Sequence, residues 1–211
     1  MNYKECPVYA DLTRKNEPLT AYIEMDKNIA EIKKYFDYDF DGSNAVYPFE
    51  LPKLPEFKTL VITGSSGSGK STLLKEFSNY KIGQFKFDDK AIISQIDDFD
   101  KITRRFNSIG LCSVPTWCKP YKVLSVGESF RANVALSLDS YTLYDEFTST
   151  IDRNVAKSTA KGLSKLIERE NLHNIVLCSC HNDYIPFLDP DIVIDTDEEK
   201  IYDCREVCLR T

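Results

Sequence analysis

The chain has 211 residues, 42% of them apolar and 28% charged, with a formal net charge of −6 at neutral pH. That size and balance suit one globular domain over residues 1–211. They exclude a bilayer-spanning segment, because no apolar run nears the roughly 20 residues required. The first seven residues lack the apolar core of a secretory signal, so a cytoplasmic protein with no direct membrane insertion is expected. The mild acidity gives no overall pull towards nucleic acid or anionic lipid.

Residues 1–56 form an N-terminal segment of strands and irregular chain. Within it, 20–25 reads as a strand. Residues 29–36 read as a short helix, with Ile29, Ile32 and Phe36 at helical spacing. Residues 37–55 carry three prolines and read as irregular connection. A strand is expected over 59–63, and then a helix from Lys70 to near Tyr80. Residues 86–96 are mixed, with room for a strand end and a short helix. Residues 101–109 read as a helix closing at Gly110, and 113–120 as a loop interrupted by Pro115 and Pro120. A helix over 126–138 leads to a short strand at 141–144. Helix 152–170 follows, with Val155, Ala156, Ala160, Leu163, Leu166 and Ile167 as its apolar stripe. Strands at 174–179, 191–194 and 200–202 complete the chain. Alternating strands and helices in the second half point to a parallel α/β sheet.

Lys101, Arg104, Arg105, Lys119 and Lys122 read as solvated faces, with a basic strip as the alternative. The seven cysteines are an odd count, which favours reduced thiols over a disulfide framework. Cys178 and Cys180 fall in one apolar run and share a strand face, so both are expected to pack as small core groups. A structural zinc on these and on the pair Cys204 and Cys208 is the weaker alternative.

Chemistry concentrates at Gly64-Ser65-Ser66-Gly67-Ser68-Gly69-Lys70-Ser71, which fills every fixed place of G-x-x-x-x-G-K-[ST]. A strand leads in and a helix leads out. Glycines let successive backbone N–H groups turn inward to make an anion-binding concavity, and the helix adds the positive end of its dipole. Lys70 reaches the β- and γ-phosphates, the Ser71 hydroxyl is a Mg²⁺ ligand, and Thr72 begins the helix beside them. Further on, Ser125, Gly127 and Glu128 form a second turn before a helix. Asp145 and Glu146 end a buried strand, where Asp145 suits Mg²⁺ and Glu146 suits activation of a water. His181 follows another strand.

With these motifs in place the chain resembles the ABC-type ATPases. Residues 64–71 are similar to that family's Walker A motif and 124–128 to its signature. Residues 141–146 are similar to Walker B with its glutamate, 149–152 to the D-loop, and His181 to the switch histidine. Val126 and Glu128 depart from the usual signature residues. The short stretch from Lys70 to Leu124 leaves only a reduced helical subdomain, about 96–125. That resembles a compact stand-alone class of bacteria and phages, sometimes fused to acetyltransferase domains. The resemblance implies an α/β P-loop NTPase of ABC type, with a mainly parallel sheet flanked by helices. It implies ATP and Mg²⁺ as cofactors, catalysis by Glu146, His181 and Lys70, and head-to-tail homodimerisation around ATP through Ser125 and Gly127. Gln95 is the candidate for the family's metal-contacting glutamine. Among Tyr47, Phe49 and Phe57, Tyr47 is the candidate for stacking on adenine. The expected activity is ATP hydrolysis that drives a conformational change in a macromolecular partner, protein or nucleic acid. A transporter subunit and a regulatory module with little turnover are the alternatives.

Overall fold

The computed structural model describes residues 2–205. In chain order the first half forms strands β1 (Val8–Asp11), β2 (Thr13–Arg14) and β3 (Leu19–Tyr22), helix α1 (Lys27–Phe36), strands β4 (Ser43–Val46), β5 (Phe49–Glu50) and β6 (Thr59–Thr63), helix α2 (Lys70–Leu73) and strand β7 (Lys81–Ile82). The second half forms helices α3 (Phe99–Ser108), α4 (Val114–Trp117) and α5 (Val126–Ser137), strand β8 (Thr142–Tyr144), helix α6 (Arg153–Glu170), strand β9 (Ile175–Ser179), helix α7 (Ile185–Leu188) and strands β10 (Ile192–Asp195) and β11 (Lys200–Asp203).

Seven strands make one sheet in the order β1-β11-β10-β6-β9-β8-β7. The run β10-β6-β9-β8-β7 is parallel, and β11 is antiparallel to both its neighbours. The pairs β2–β5 and β3–β4 are separate small sheets. Every residue of β6 and β9 is buried, as central strands must be when helices cover both faces. Side chains alternate between two cores. Leu60, Ile62, Val176 and Cys178 face Leu73, Leu74 and Phe77 on the α2 side. Val61, Ile175 and Leu177 face the other way, towards Phe106 of α3, Ala132 of α5 and Leu163 and Leu166 of α6. The fold is therefore the expected α/β architecture. No helix among the described residues is long and apolar enough to cross a membrane.

Several expectations need correction. The irregular stretch 37–55 contains β4 and β5, which are short and mostly exposed and so carry little hydrophobic signal. The helix after the glycine-rich loop stops at Leu73 and continues as a 3₁₀ turn, Leu74–Phe77. Residues 113–120 include α4, because Pro115 sits in the first helical turn, where a missing N–H costs nothing. Cys6 and Cys204 form a disulfide, against the expectation of wholly reduced thiols, since their proximity is set by β1 pairing with β11. Cys178 is buried, but Cys180 is exposed, because the strand ends at Ser179. Cys208 lies outside the described residues. Arg105 is no surface strip residue: its side chain is 6% exposed and paired with Glu170.

Candidate functional site

The parallel strands β6, β8 and β9 deliver their loops to one edge of the sheet, where switch points in α/β folds place ligands. The loop after β6 turns through three residues with positive φ: Gly64 at 143°, Gly67 at 82° and Gly69 at 103°. Gly64 has a second constraint, because a Cβ there would lie 2.1 Å from the Thr196 hydroxyl. Thr196 accordingly braces the loop: its Oγ1 donates to the Thr63 carbonyl at 3.0 Å and meets Ser68 Oγ at 2.6 Å. The Ser65 N–H and hydroxyl both donate to Asp197, at 2.8 and 2.7 Å. Lys70 folds back over the loop and donates to the Gly64 and Ser65 carbonyls. Phe49 packs beneath Gly69, with the Arg14 guanidinium 4.2 Å from its ring centre.

A cavity of about 310 Å³ opens over this loop. Ser66, Gly67, Gly69, Lys70, Ser71 and Thr72 line it together with Asp145 and Glu146, and Val46, Cys178, Ser179 and Cys180 complete the lining. The carboxylates reach it because β8 ends at Tyr144 and the chain turns there. Glu146 and Thr148 adopt left-handed backbone, φ 50° and 68°. The Glu146 N–H donates to Asp145 Oδ1 at 2.9 Å, and the Phe147 N–H donates to the Cys178 carbonyl at 2.7 Å. Arg153, in the first turn of α6, bonds the Thr148 carbonyl at 3.1 Å and pairs with Asp183. It thereby ties the acidic turn to the loop that carries His181. That pairing, with Lys157 adding to it, holds the Asp183 carboxyl below the ordinary carboxylate range. Burial pushes the Cys178 thiol up to about 12, and the nearby Asp145 carboxylate adds to the shift.

The other sequence candidates lie apart from this cavity. Gly64 and Ser65 border a neighbouring hollow with Asp195 and Asp197. Ser125 is the exposed N-cap of α5, in a complete capping box with Glu128. The Glu128 carboxylate accepts the Ser125 N–H and hydroxyl, both at 2.9 Å, and the Thr116 hydroxyl at 3.0 Å. Those bonds, led by the Ser125 backbone, hold its carboxyl below the usual range. Gly127 follows in the first turn of the same helix. His181 is half-buried just beyond β9, its N–H bonded to Ser179 Oγ. Tyr47 is half-exposed after β4, whereas Phe49 and Phe57 are buried. Gln95 is spent locally: its amide bonds Asp88 and the Lys90 carbonyl. Gln84 was not among the site residues expected from the sequence. It lies just beyond β7 and lines a second cleft that Asp145 shares. Its signal in the sequence was a polar residue leaving a strand at the loop edge of the sheet.

A parallel sheet with a glycine-rich loop after one central strand and an acidic pair after its second neighbour is the arrangement of a P-loop α/β fold. Among solved structures, the fold is that of the ABC ATPase cassettes. The dimeric ABC transporter cassette MJ0796 superposes with a TM-score of 0.51 at 16% identity, over 87% of this chain and 93% of that one. The transporter component cbiO1 of Clostridium perfringens superposes with a TM-score of 0.54 at 15% identity, over 92% of each chain. No protein-family model matches the sequence, and neither does any curated protein.

Proposed function

We propose that this chain is an ABC-type ATPase that binds ATP with Mg²⁺, hydrolyses it, and dimerises head-to-tail around it to move a macromolecular partner, protein or nucleic acid. The observation that carries this reading is the single cavity that joins the glycine-rich loop to Asp145 and Glu146. Backbone N–H groups of the loop and the Lys70 ammonium offer donors and positive charge to a triphosphate. The Lys70 bonds to Gly64 and Ser65 keep that ammonium over the loop. The oxygen donors Ser71 and Asp145 suit Mg²⁺, a hard ion that takes few protein ligands and keeps phosphate and water as the rest. They would hold it, and when bound it neutralises charge developing on the phosphates. Glu146 accepts a proton from the attacking water, and His181 donates to the terminal phosphate. Gln84, unlike Gln95, lines a cleft together with Asp145, the candidate metal ligand.

The N-terminus of α5 supports the dimer. Ser125 and Val126 are exposed, and neither lines the chain's own loop cavity. A second protomer's loop cavity is the surface to which Ser125 and Gly127 offer an anion-binding turn, and the similar cassette MJ0796 is itself dimeric. ATP closes such a dimer only by as much as it prefers the closed state, and about 5.5 kcal/mol moves 1:99 to 99:1.

Size-exclusion chromatography with and without Mg·ATP tests the reading. Glu146→Gln keeps the side-chain volume and removes the base, so it is expected to elute as a dimer with ATP and as a monomer without. Lys70→Ala is expected to bind no nucleotide and to stay monomeric. A Glu146→Gln protein that binds ATP yet never dimerises would refute the head-to-tail arrangement. The species that co-purifies with the trapped dimer identifies the partner.

A further inference from the structure

Gln84 leaves the sheet on a segment of weak regular structure, because β7 is a two-residue edge strand. Something else must hold this glutamine. The Gly83 N–H continues the ladder to the Leu143 carbonyl at 2.7 Å. The Gln84 N–H turns back to the Ile82 carbonyl at 2.7 Å, and on either side of it the Gly83 carbonyl and the Phe85 N–H go to one side chain. Asn133 Nδ2 donates to the Gly83 carbonyl at 2.8 Å, and the Phe85 N–H donates to Asn133 Oδ1 at 2.8 Å. A carboxamide carries one donor group and one acceptor, so it satisfies one backbone carbonyl and one N–H together. Asn133 thus grips the residues before and after Gln84 and leaves Gln84 itself in the cleft with Asp145.

We propose that Asn133 is a positioning residue for Gln84, and that it couples Gln84 to the N-terminus of α5; this rests on the reading of the site given above. Asn133 lies two turns along α5 from Ser125. A helix of this length moves as a body, so a shift of α5 when Ser125 meets a phosphate is passed through the Asn133 amide to Gln84. No other side chain bonds the backbone of residues 83–85 among the hydrogen bonds of the described residues. The clamp acts on the metal side of the site, since Gln84 and Asp145 share a cleft.

Two measurements test this on the full chain. In the absence of nucleotide, amide exchange of Asn133→Ala is expected to accelerate at Phe85 by about tenfold, the worth of one hydrogen bond, while β6 and β9 keep their protection. In turnover assays, Asn133→Ala is expected to lower kcat or raise the Mg²⁺ half-saturation by about tenfold or more, as loss of a supporting group does. Metal-free nucleotide affinity is expected to stay unchanged. In a Gln84→Ala background the same change is expected to add nothing. Asn133→Asp keeps the acceptor for Phe85 and loses the donor to Gly83. It is expected to retain Phe85 protection and to show an intermediate turnover defect, which keeps the test open if Asn133→Ala folds poorly. Unchanged exchange at Phe85, or losses that add in the double variant while Lys70-dependent turnover is intact, would overturn the role of Asn133 alone. A wild-type protein without Lys70-dependent turnover would sink the reading of the whole site.

Discussion

Cys178 and Cys180 are two residues apart and differ in nearly every physical respect. Cys178 is packed in the core behind the acidic turn, its thiol pushed up to about 12. At pH 8 almost none of it is thiolate, and the thiolate is the reactive form. Cys180 lies one residue past the strand, exposed at the margin of the loop cavity. Alkylation with iodoacetamide at pH 8, read by peptide mass spectrometry, is therefore expected to label Cys180 and leave Cys178 intact. On the proposed function, Mg·ATP is expected to slow labelling at Cys180, because a nucleotide over the glycine-rich loop would cover the cavity that this thiol lines. Labelling of Cys180 that ATP does not change would argue that the ligand sits elsewhere. At this scale the sequence was most legible where chemistry is local. The glycine-rich loop and the acidic pair at 145–146 each declare themselves within a few residues, and the structure brings them together. Gln84 was not legible that way. Its neighbours Gly83 and Phe85 are bonded by Asn133, which lies 50 and 48 positions further along the chain.

Helices α3, α5 and α6 meet around Arg105. Its guanidinium pairs with Glu170 at the end of α6 and bonds the carbonyls of Ala135 and Leu138 at the end of α5, both at 2.9 Å. One cation thus caps the C-terminal end of α5, where unpaired carbonyls collect, and ties it to the last residue of α6. Gly162 allows the approach on the neighbouring side: a Cβ there would meet the Ser108 carbonyl at 1.9 Å, so α3 and α6 touch backbone to backbone. Arg105→Ala removes the charge partner of Glu170 and leaves two carbonyls unpaired. Glu170 keeps 22% side-chain exposure, so the cost falls mainly on the two buried carbonyls, about 1–3 kcal/mol, and urea unfolding is expected to report a loss of that size. A loss well under 1 kcal/mol would place the guanidinium in solvent. Long apolar periodicities made the central elements readable: α6, β6 and β9 fall within two residues of their expected bounds. Arg105 reads in sequence like any surface cation, because its partners come from two other helices. The short strands β4 and β5 bury too little to leave a pattern.

At the scale of the whole molecule, the first and last described elements are joined beside the hollow that Tyr3, Lys4, Gly64 and Ser65 share next to the glycine-rich loop. Cys6 and Cys204 are bonded across a sequence separation of 198 residues, and β1 pairs with β11 beside them. The same N-terminal turn supplies Tyr3, whose hydroxyl donates to Asp195 Oδ2 at 2.9 Å, and Lys4, which pairs with Glu198. Asp195 in turn accepts the N–H groups of Asp197 and Glu198, at 3.0 and 3.1 Å. Asp197 then takes both donors of Ser65 in the glycine-rich loop. The path from disulfide to loop is continuous and consists of paired groups. A cross-link closing so long a loop stabilises by restricting the unfolded chain, typically by about 2–4 kcal/mol. Cys6→Ser, or the wild-type chain under reductant, is expected to unfold at lower urea by that amount. The effect is also expected to reach the site, since an N-terminal turn released from Cys204 no longer fixes Asp195. Nucleotide affinity measured with and without reductant checks this, with Cys112→Ser as a control on a thiol that makes no cross-link. A reduced chain that loses stability but keeps full affinity would show that the turn at 195–198 holds the loop without help from the N-terminus. Equal stability in both states would show that the pairing of β1 with β11 alone brings the ends together.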